Sequence, residues 1–225
     1  MRSSVVERFP DKKEVHSSIL CAPTIVNRPS CPASDVMAIE RLVDTRIKVR
    51  EAAISPIYKL LSLDESSEFV RLAHERGKSV ILLEGTWDLT HPGHVQHVRE
   101  AKKHADLVLL KLASAEYANK YKGVDRPIEK FRDMVVSEFE NVDAVYVEEK
   151  AIDPENNAEN ARVLMQLSPD HVALEIEDEH FFPKIKAIDY ANRHLGGKIK
   201  PVVMVLPYIV STTAIVNKIR SITDK

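Results

Sequence analysis

Gly85-Thr-Trp-Asp-Leu-Thr-His-Pro-Gly-His94 links an apolar segment of the chain to an amphipathic one. Before it, Ser79-Val-Ile-Leu-Leu83 predicts a short buried strand. After it, apolar residues between Val95 and Ala105 recur at helical spacing. Thr90 is the predicted helix cap, and Pro92 is well tolerated in a first helical turn. The stretch therefore predicts a tight connection from a strand into a helix.

Two histidines lie in the first turn of this predicted helix. His91 and His94 are three residues apart, so their side chains share one side of the turn. The first-turn N–H groups have no helical partner, and the helix dipole favours an anion there. Gly93 carries no side chain that would block a ligand. The pattern predicts a phosphate site built from two imidazoles and backbone donors.

Composition narrows the class of protein. The 225 residues are 44% hydrophobic and 29% charged, which is ordinary for a globular protein, and the net charge of -2 gives no reason to expect nucleic-acid binding. No apolar run approaches the roughly 20 residues that span a bilayer, and no signal-peptide pattern is present. We therefore expect a cytoplasmic protein with no membrane partner. Whether Cys21 and Cys31 pair is left open.

The chain divides by pattern into three parts. Residues 1–34 are rich in proline and serine and predict a flexible tail. Residues 35–76 predict an extension of two helices, the second of which runs from Asp64 to His74. This extension could pack on the domain, form a dimer contact or cover part of the site. Residues 77–225 then alternate between strand and helix patterns.

That alternation predicts an α/β fold with a parallel, doubly wound sheet. Predicted strands include Leu107–Leu112 and Ala144–Val147, and predicted helices include Pro154–Leu167, capped by Asp153. Ligands of such sheets lie beyond the carboxyl ends of the strands. The 85–94 stretch and Ser211-Thr-Thr213 both follow predicted strands, so we expect them to meet at that edge.

Four segments together resemble one family. They are Gly85–His94, Lys122-Gly-Val-Asp-Arg-Pro-Ile128, Arg132 followed by Asn141-Val-Asp-Ala-Val145, and Ser211-Thr-Thr-Ala-Ile215. In this order they resemble the HxGH nucleotidyltransferases of the cytidylyltransferase-like superfamily. The resemblance implies a Rossmann-like nucleotidyltransferase fold with the N-terminal helical extension outside it.

The resemblance extends to a branch of that superfamily. The C-terminal part of the chain is similar to sugar-phosphate enzymes such as the heptose-phosphate nucleotidyltransferases. Glycerol-phosphate and phosphoethanolamine cytidylyltransferases are nearly as similar. The acidic stretch Glu175-Ile-Glu-Asp-Glu-His180 departs from the heptose-type pattern and argues against heptose phosphate itself.

The implied reaction transfers CMP or AMP from CTP or ATP to a small phosphorylated or phosphonylated acceptor and releases pyrophosphate. The Gly-Thr-Trp-Asp-Leu start favours CTP, whereas the C-terminal stretch favours ATP. Mg²⁺ is expected with the triphosphate, and no residue is assigned to a protein metal site. Family members are often homodimers, which predicts a homodimer here.

The resemblance also implies roles for individual residues. His91, His94 and Lys122 are the predicted catalytic residues. The predicted nucleotide-binding residues are Gly85, Thr86, Trp87, Gly93, Arg126, Arg132, Ser211, Thr212 and Thr213. The predicted acceptor-binding residues are Asp88, Asp178 and His180.

Several of these residues have an ordinary structural alternative. Arg132 could reach the nucleotide or pair with Asp143, and Arg126 could be a surface charge. Trp87 suits packing better than base stacking, and Asp88 suits a loop-holding role. The acidic cluster that contains Asp178 could simply be a solvated loop.

Two further functions compete with the leading one. An adenylyltransferase of cofactor synthesis would act on a nucleotide or pantetheine phosphate. A degenerate member of the family would bind nucleotide as a sensor or scaffold. The intact Ser-Thr-Thr segment argues against the first alternative, and the retained His91, His94 and Lys122 argue against the second.

Overall fold

A computed structural model describes residues 59–121, 132–176, 178, 180–206 and 211–223. The strands are β1 (Leu60–Leu61), β2 (Val80–Gly85), β3 (Leu107–Leu112), β4 (Ala144–Val147), β5 (His171–Glu175) and β6 (Lys200–Met204). The helices are α1 (Leu63–Glu75), α2 (Pro92–Ala101), α3 (Ala115–Tyr121), α4 (Arg132–Ser137), α5 (Asn157–Leu167), α6 (Phe181–Leu195) and α7 (Thr212–Thr223). The predicted tail, and the predicted extension as far as residue 58, lie outside the described residues.

The described strands form one six-stranded sheet in the order β1-β4-β3-β2-β5-β6. Every pairing in it is parallel. The chain builds outward from β2 to β4 and then returns to the other side of β2 for β5. This reversal opens a crevice beyond the carboxyl ends of the central strands. The predicted parallel, doubly wound α/β fold is confirmed.

Successive side chains along each strand point to opposite faces of the sheet, so the strands contribute to a hydrophobic core on each face. Val80 and Leu82 of β2 pack with buried residues of α1, α5 and α6. Ile81 and Leu83, which alternate with them, pack with Val98 of α2 and with other residues on the opposite face. Because both faces are covered by helices, the central strands are apolar throughout most of their length.

Strand β1 and helix α1 come from the predicted helical extension, which ends at residue 76. The strand pairs with the sheet and the helix packs against it. Leu60 and Leu61 pair with Val145 and Tyr146 of β4. In α1, Phe69 is fully buried, a burial that typically contributes about 1.5–3 kcal/mol. Helix α1 therefore packs on the sheet, which was one of the alternatives open for the extension. The two-residue strand β1 has no sequence signal.

Helix α5 begins later than the sequence predicts. Helix α5 begins at Asn157 and is capped by Asn156, whose side chain accepts from the Glu159 N–H at 3.1 Å. Asp153 instead accepts from the Glu155 N–H in the turn before the helix. The prediction of Asp153 as the cap was therefore wrong.

Among the described residues, no helix has the length and apolarity that crossing a bilayer requires.

Candidate active site

A cavity of about 740 Å³ opens at the carboxyl ends of the parallel strands. It brings together most of the site residues that the sequence predicted. Those that line it are Gly85, Thr86, Trp87, Asp88, His91, Gly93, His94, Asp178, His180, Ser211, Thr212 and Thr213. Lys122 and Arg126 lie outside the described residues, so their roles stay predictions.

Helix α2 begins one residue later than predicted. His91, not Thr90, occupies the N-cap position, with the extended backbone angles φ -141° and ψ 167°. Its side chain makes no capping hydrogen bond, and Pro92 opens the helix. The prediction of Thr90 as the cap was wrong because the backbone stays extended through His91. This start brings the imidazole of His91 to the cavity wall.

Three aromatic rings lie against one another at this helix start. The ring centroids of His91 and His94 lie 3.8 Å apart, and those of Trp87 and His94 lie 4.6 Å apart. Trp87 is 3% exposed and has the left-handed φ of 53°. A Cβ atom at Gly85 would lie only 2.7 Å from Trp87 Nε1. Gly85 therefore makes room for the indole, and Trp87 packs behind the histidines as the sequence suggested.

Burial sets the charge of His94. Desolvation, followed by repulsion from His91, lowers the pKa of His94 from 6.5 to about 3, and the nearby Asp88 opposes this only in part. His94 Nδ1 is buried and has no hydrogen-bond partner in the described part of the chain. The imidazole is therefore neutral near pH 7 in the apo protein. It can donate a hydrogen bond to an anion, and an anion would favour its protonation.

This lowered pKa predicts how stability depends on pH. Between about pH 6.5 and pH 3 the unfolded chain carries a proton on His94 that the folded chain lacks, so the stabilisation is complete above pH 6.5 and is lost as pH falls. The loss approaches about 1.4 kcal/mol per pH unit. Urea unfolding from pH 7.5 to pH 4.5 should therefore show a steeper decline for the wild type than for His94→Gln. Equal slopes in the two proteins would contradict the assignment.

A buried hydrogen bond ties the start of α7 to the histidine loop. Thr212 Oγ1 donates to Asp88 Oδ1 at 2.8 Å, and both residues are 4% exposed. Ser211 caps the same helix, since its Oγ accepts from the Ala214 N–H at 3.2 Å. Asp88, predicted as an acceptor residue with a loop-holding alternative, has the loop-holding contact. The N-termini of α2 and α7 are thereby held at one cavity.

Arg132 has a positioning role in the described structure. Its guanidinium donates to the backbone oxygens of Thr86 and Ala113, which follow β2 and β3. The alternative ion pair with Asp143 is wrong. That carboxylate accepts from Lys102 Nζ and from the Val108 N–H, each at 2.8 Å. Arg132 thus fixes the ends of two neighbouring strands beside the cavity.

Sequence reasoning missed a second set of charged residues in this cavity. Lys111 lies within 3.0 Å of Glu84 and 3.4 Å of Glu148, measured from its Nζ to the nearest carboxylate oxygens. Their only sequence signal is a charge near the end of an otherwise apolar strand. His97 Nδ1 also lies 2.6 Å from Glu175 Oε1. None of these three contacts involves a residue of the recognised motifs.

The sequence of this chain matches a known protein family. The profile of the cytidylyltransferase-like family matches residues 82–221, which is more than half of the chain. The chain belongs to the cytidylyltransferase-like family. The predicted resemblance is confirmed, and with it the predicted class of enzyme, a nucleotidyltransferase.

Curated relatives of this cytidylyltransferase-like chain are longer proteins. It is 27% identical over 163 residues to the bifunctional protein HldE of Nitrosococcus oceani, covering 72% of this chain and 32% of that protein. It is 26% identical over 188 residues to the bifunctional protein HldE of Nitratiruptor sp., covering 81% and 36%. The chain thus spans about a third of the length of these two relatives.

Solved structures of low identity also resemble the chain. The lipopolysaccharide core biosynthesis protein from Thermoplasma volcanium GSS1 is 21% identical, with a TM-score of 0.47, covering 57% of this chain and 98% of that one. The pantoate-beta-alanine ligase from Francisella tularensis is 15% identical, with a TM-score of 0.48, covering 74% and 79%.

Proposed function

We propose that this protein transfers CMP or AMP from CTP or ATP to a small phosphorylated or phosphonylated acceptor and releases pyrophosphate. The observation that carries the proposal is the pair of helix N-termini at one cavity. Helix α2 brings His91 and His94, helix α7 brings Thr212, and the bond from Thr212 to Asp88 joins the two helices. Two converging helix N-termini suit the several negative charges of a triphosphate.

The reaction needs neither a protein nucleophile nor a strong base. An oxygen of the acceptor phosphate attacks the α-phosphorus of the nucleotide, and the bond from that phosphorus to the bridging oxygen of pyrophosphate breaks. The acceptor oxygen is already ionised near neutral pH, so no proton has to be removed. Positioning and electrostatic stabilisation then account for catalysis.

In this scheme the stacked histidines act on the leaving group. His91 and His94 donate hydrogen bonds to phosphate oxygens as negative charge moves toward pyrophosphate. A neutral His94 can gain a proton when that charge develops, because its pKa rises beside an anion. Ser211, Thr212 and Thr213 hold the β- and γ-phosphates at the start of α7. Lys122 and Arg126 are proposed to complete the phosphate contacts.

Mg²⁺ fits this cavity as an ion carried by the nucleotide. The carboxylates that line the described cavity already have partners: Glu84 and Glu148 contact Lys111, Asp88 contacts Thr212, Glu175 contacts His97, and Asp178 contacts Lys184. Within the described ranges, no group of three or more His, Cys, Asp or Glu residues is arranged to hold a metal. Triphosphate oxygens and water would supply the ligands, and the ion would neutralise charge on the phosphates.

Other parts of the proposal concern the whole protein. A homodimer, a cytoplasmic location, and a division into 1–34, 35–76 and 77–225 stay predictions. Asp178 and His180 stay candidates for acceptor contacts, since both line the cavity.

A substrate panel tests the proposed reaction. Pyrophosphate release is measured with CTP or ATP, in the presence of Mg²⁺, against sugar, polyol and amino-alcohol phosphates and phosphonates. We expect turnover with one nucleotide at least about tenfold above the other, and a product whose mass equals the acceptor plus the nucleoside monophosphate. The proposed function would be contradicted if no pair released pyrophosphate in a preparation that a cooperative thermal denaturation transition shows to be folded.

A further inference from the structure

His97 is a polar side chain on the side of α2 that faces the hydrophobic core. The helix buries it together with Val98 and Ala101, and the residue is 6% exposed. Its Nε2 atom is buried and has no hydrogen-bond partner in the described part of the chain. A buried polar atom without a partner destabilises a folded protein, and an apolar side chain would avoid that cost. Packing alone therefore does not account for a histidine at this position.

Glu175, at the end of β5, fixes the orientation of the His97 ring. His97 Nδ1 lies 2.6 Å from Glu175 Oε1. The hydrogen bond from His97 is the largest influence on Glu175 and lowers its pKa, so this carboxyl group is ionised near neutral pH. An ionised carboxylate can only accept, so Nδ1 carries the proton of the shared bond. Two further charged groups, Asp178 and Lys184, shift the pKa of Glu175 in opposite directions and pair with each other at 2.6 Å.

The oriented ring of His97 lies against the indole of Trp87. The two ring centroids are 6.1 Å apart, and the ring planes are nearly parallel, with an angle of 19° between them. The indole also lies against His94, at a centroid distance of 4.6 Å. A continuous series of contacts therefore runs from Glu175 through His97 and Trp87 to His94.

Trp87 needs support from its neighbours because its backbone is strained. Its φ of 53° lies in the left-handed region, which a bulky side chain rarely adopts. Such conformations persist only where the surrounding structure holds them, and they cluster at active sites. Gly85 leaves room for the indole on one side, and His97 supplies a parallel ring for it to pack against. The pair of His97 and Glu175 therefore helps to hold Trp87 in this conformation.

The same pair also acts on the charge of His94, but its two members oppose each other. Burial is the largest cause of the lowered pKa of His94, followed by repulsion from His91, and Asp88 opposes both. His97 lowers this pKa further, whereas Glu175 raises it. Because these last two influences have opposite signs, the effect of the intact pair on His94 is mainly one of position.

We propose that Glu175 and His97 are positioning residues for nucleotidyl transfer. They hold Trp87 in its left-handed conformation, and Trp87 in turn fixes the ring of His94 beside the phosphates. This inference rests on the proposed function, in which His94 is a catalytic residue. Neither Glu175 nor His97 forms a bond or transfers a proton in the reaction.

Replacing His97 with leucine separates this role from packing. Leucine removes the unpartnered nitrogen, and Glu175, whose side chain is 42% exposed, can turn to solvent. The midpoint of thermal denaturation should therefore stay equal or rise. The kcat for pyrophosphate release should nevertheless fall about tenfold, because His94 loses its exact placement, while nucleotide affinity by calorimetry changes less than threefold. A folded His97→Leu variant with kcat within twofold of the wild type overturns the inference.

A double-mutant cycle tests whether Glu175 acts through His94. Glu175→Ala should lower kcat about tenfold in the wild-type background. In the His94→Ala background it should lower the residual kcat less than twofold, because the ring that it positions is gone. Glu175→Gln keeps an oxygen that accepts from Nδ1 and should restore kcat to within threefold of the wild type. A tenfold loss from Glu175→Ala in both backgrounds overturns the inference while leaving nucleotidyl transfer intact.

Glu155→Ala is the matched control for these variants. Glu155 is an exposed carboxylate in the turn before α5 and does not line the cavity, so its replacement should leave kcat within twofold in both backgrounds. If one of His97→Leu and Glu175→Ala does not fold, the other carries the test, since both break the same contact. Absence of turnover by the wild type with every acceptor overturns the proposed function together with this inference.

Discussion

Replacing His94 with alanine is expected to lower kcat for pyrophosphate release by about a hundred- to a thousandfold, the usual cost of removing one donor that stabilises transition-state charge. The imidazole is neutral and half-buried in the apo protein, so its strongest interaction forms only when charge develops on the leaving group. Nucleotide affinity should change far less than kcat, because the ground-state contact is one of several. Steady-state kinetics and calorimetry on the same preparations measure both quantities.

His194→Ala is the matched control for this change. His194 is exposed at the end of α6, away from the residues that line the cavity, and its replacement should leave kcat within twofold of the wild type. Thermal denaturation checks that the loss of the ring beside Trp87 has not unfolded His94→Ala. A kcat within threefold of the wild type in a folded variant would remove His94 from the proposed mechanism.

Breaking the bond between Asp88 and Thr212 is expected to lower kcat/KM by about a hundredfold. The bond is buried and joins the histidine loop to the start of α7, so its loss lets the two phosphate-binding elements shift relative to each other. A shift of about 1 Å in a positioning element can cost this much. The single variants Asp88→Ala and Thr212→Val should each show most of the loss.

The double variant decides whether the two residues act together. If they do, adding Thr212→Val to Asp88→Ala should cost little more, with a coupling energy of about 1–3 kcal/mol. Asp189→Ala, an exposed carboxylate on α6, should have no effect. Fully additive losses would mean that the bond in the structure does not carry the effect.

Most of the fold could be predicted because the hydrophobic pattern is local. Leu107–Leu112 and Ala144–Val147 were predicted with the bounds they have, since each is a short apolar run between polar turns. β1 was missed because two residues carry no periodicity, and its pairing with β4 depends on a contact more than 80 residues away in sequence. The start of α2 was displaced by one residue because capping depends on backbone angles that side-chain type only biases.

The residues of the candidate site also fall into a group that the sequence could predict and a group that it could not. The histidines and Ser211–Thr213 could be predicted because each motif is contiguous and precedes a helix. Glu84, Lys111 and Glu148 could not, because they come from the ends of three different strands and meet only through the register of the sheet. The partners of Arg132 were likewise invisible, since backbone oxygens leave no mark on sequence.

The position of Trp87 makes it a fluorescent reporter of the candidate site. It is the only tryptophan among the 225 residues, and its ring lies against His94. Indole fluorescence responds to charge and polarity around the ring, so the emission of the whole protein reports on this one site. Titrating the unlabelled protein with nucleotide, or with acid, would therefore follow the state of the histidine pair in real time and without any added probe.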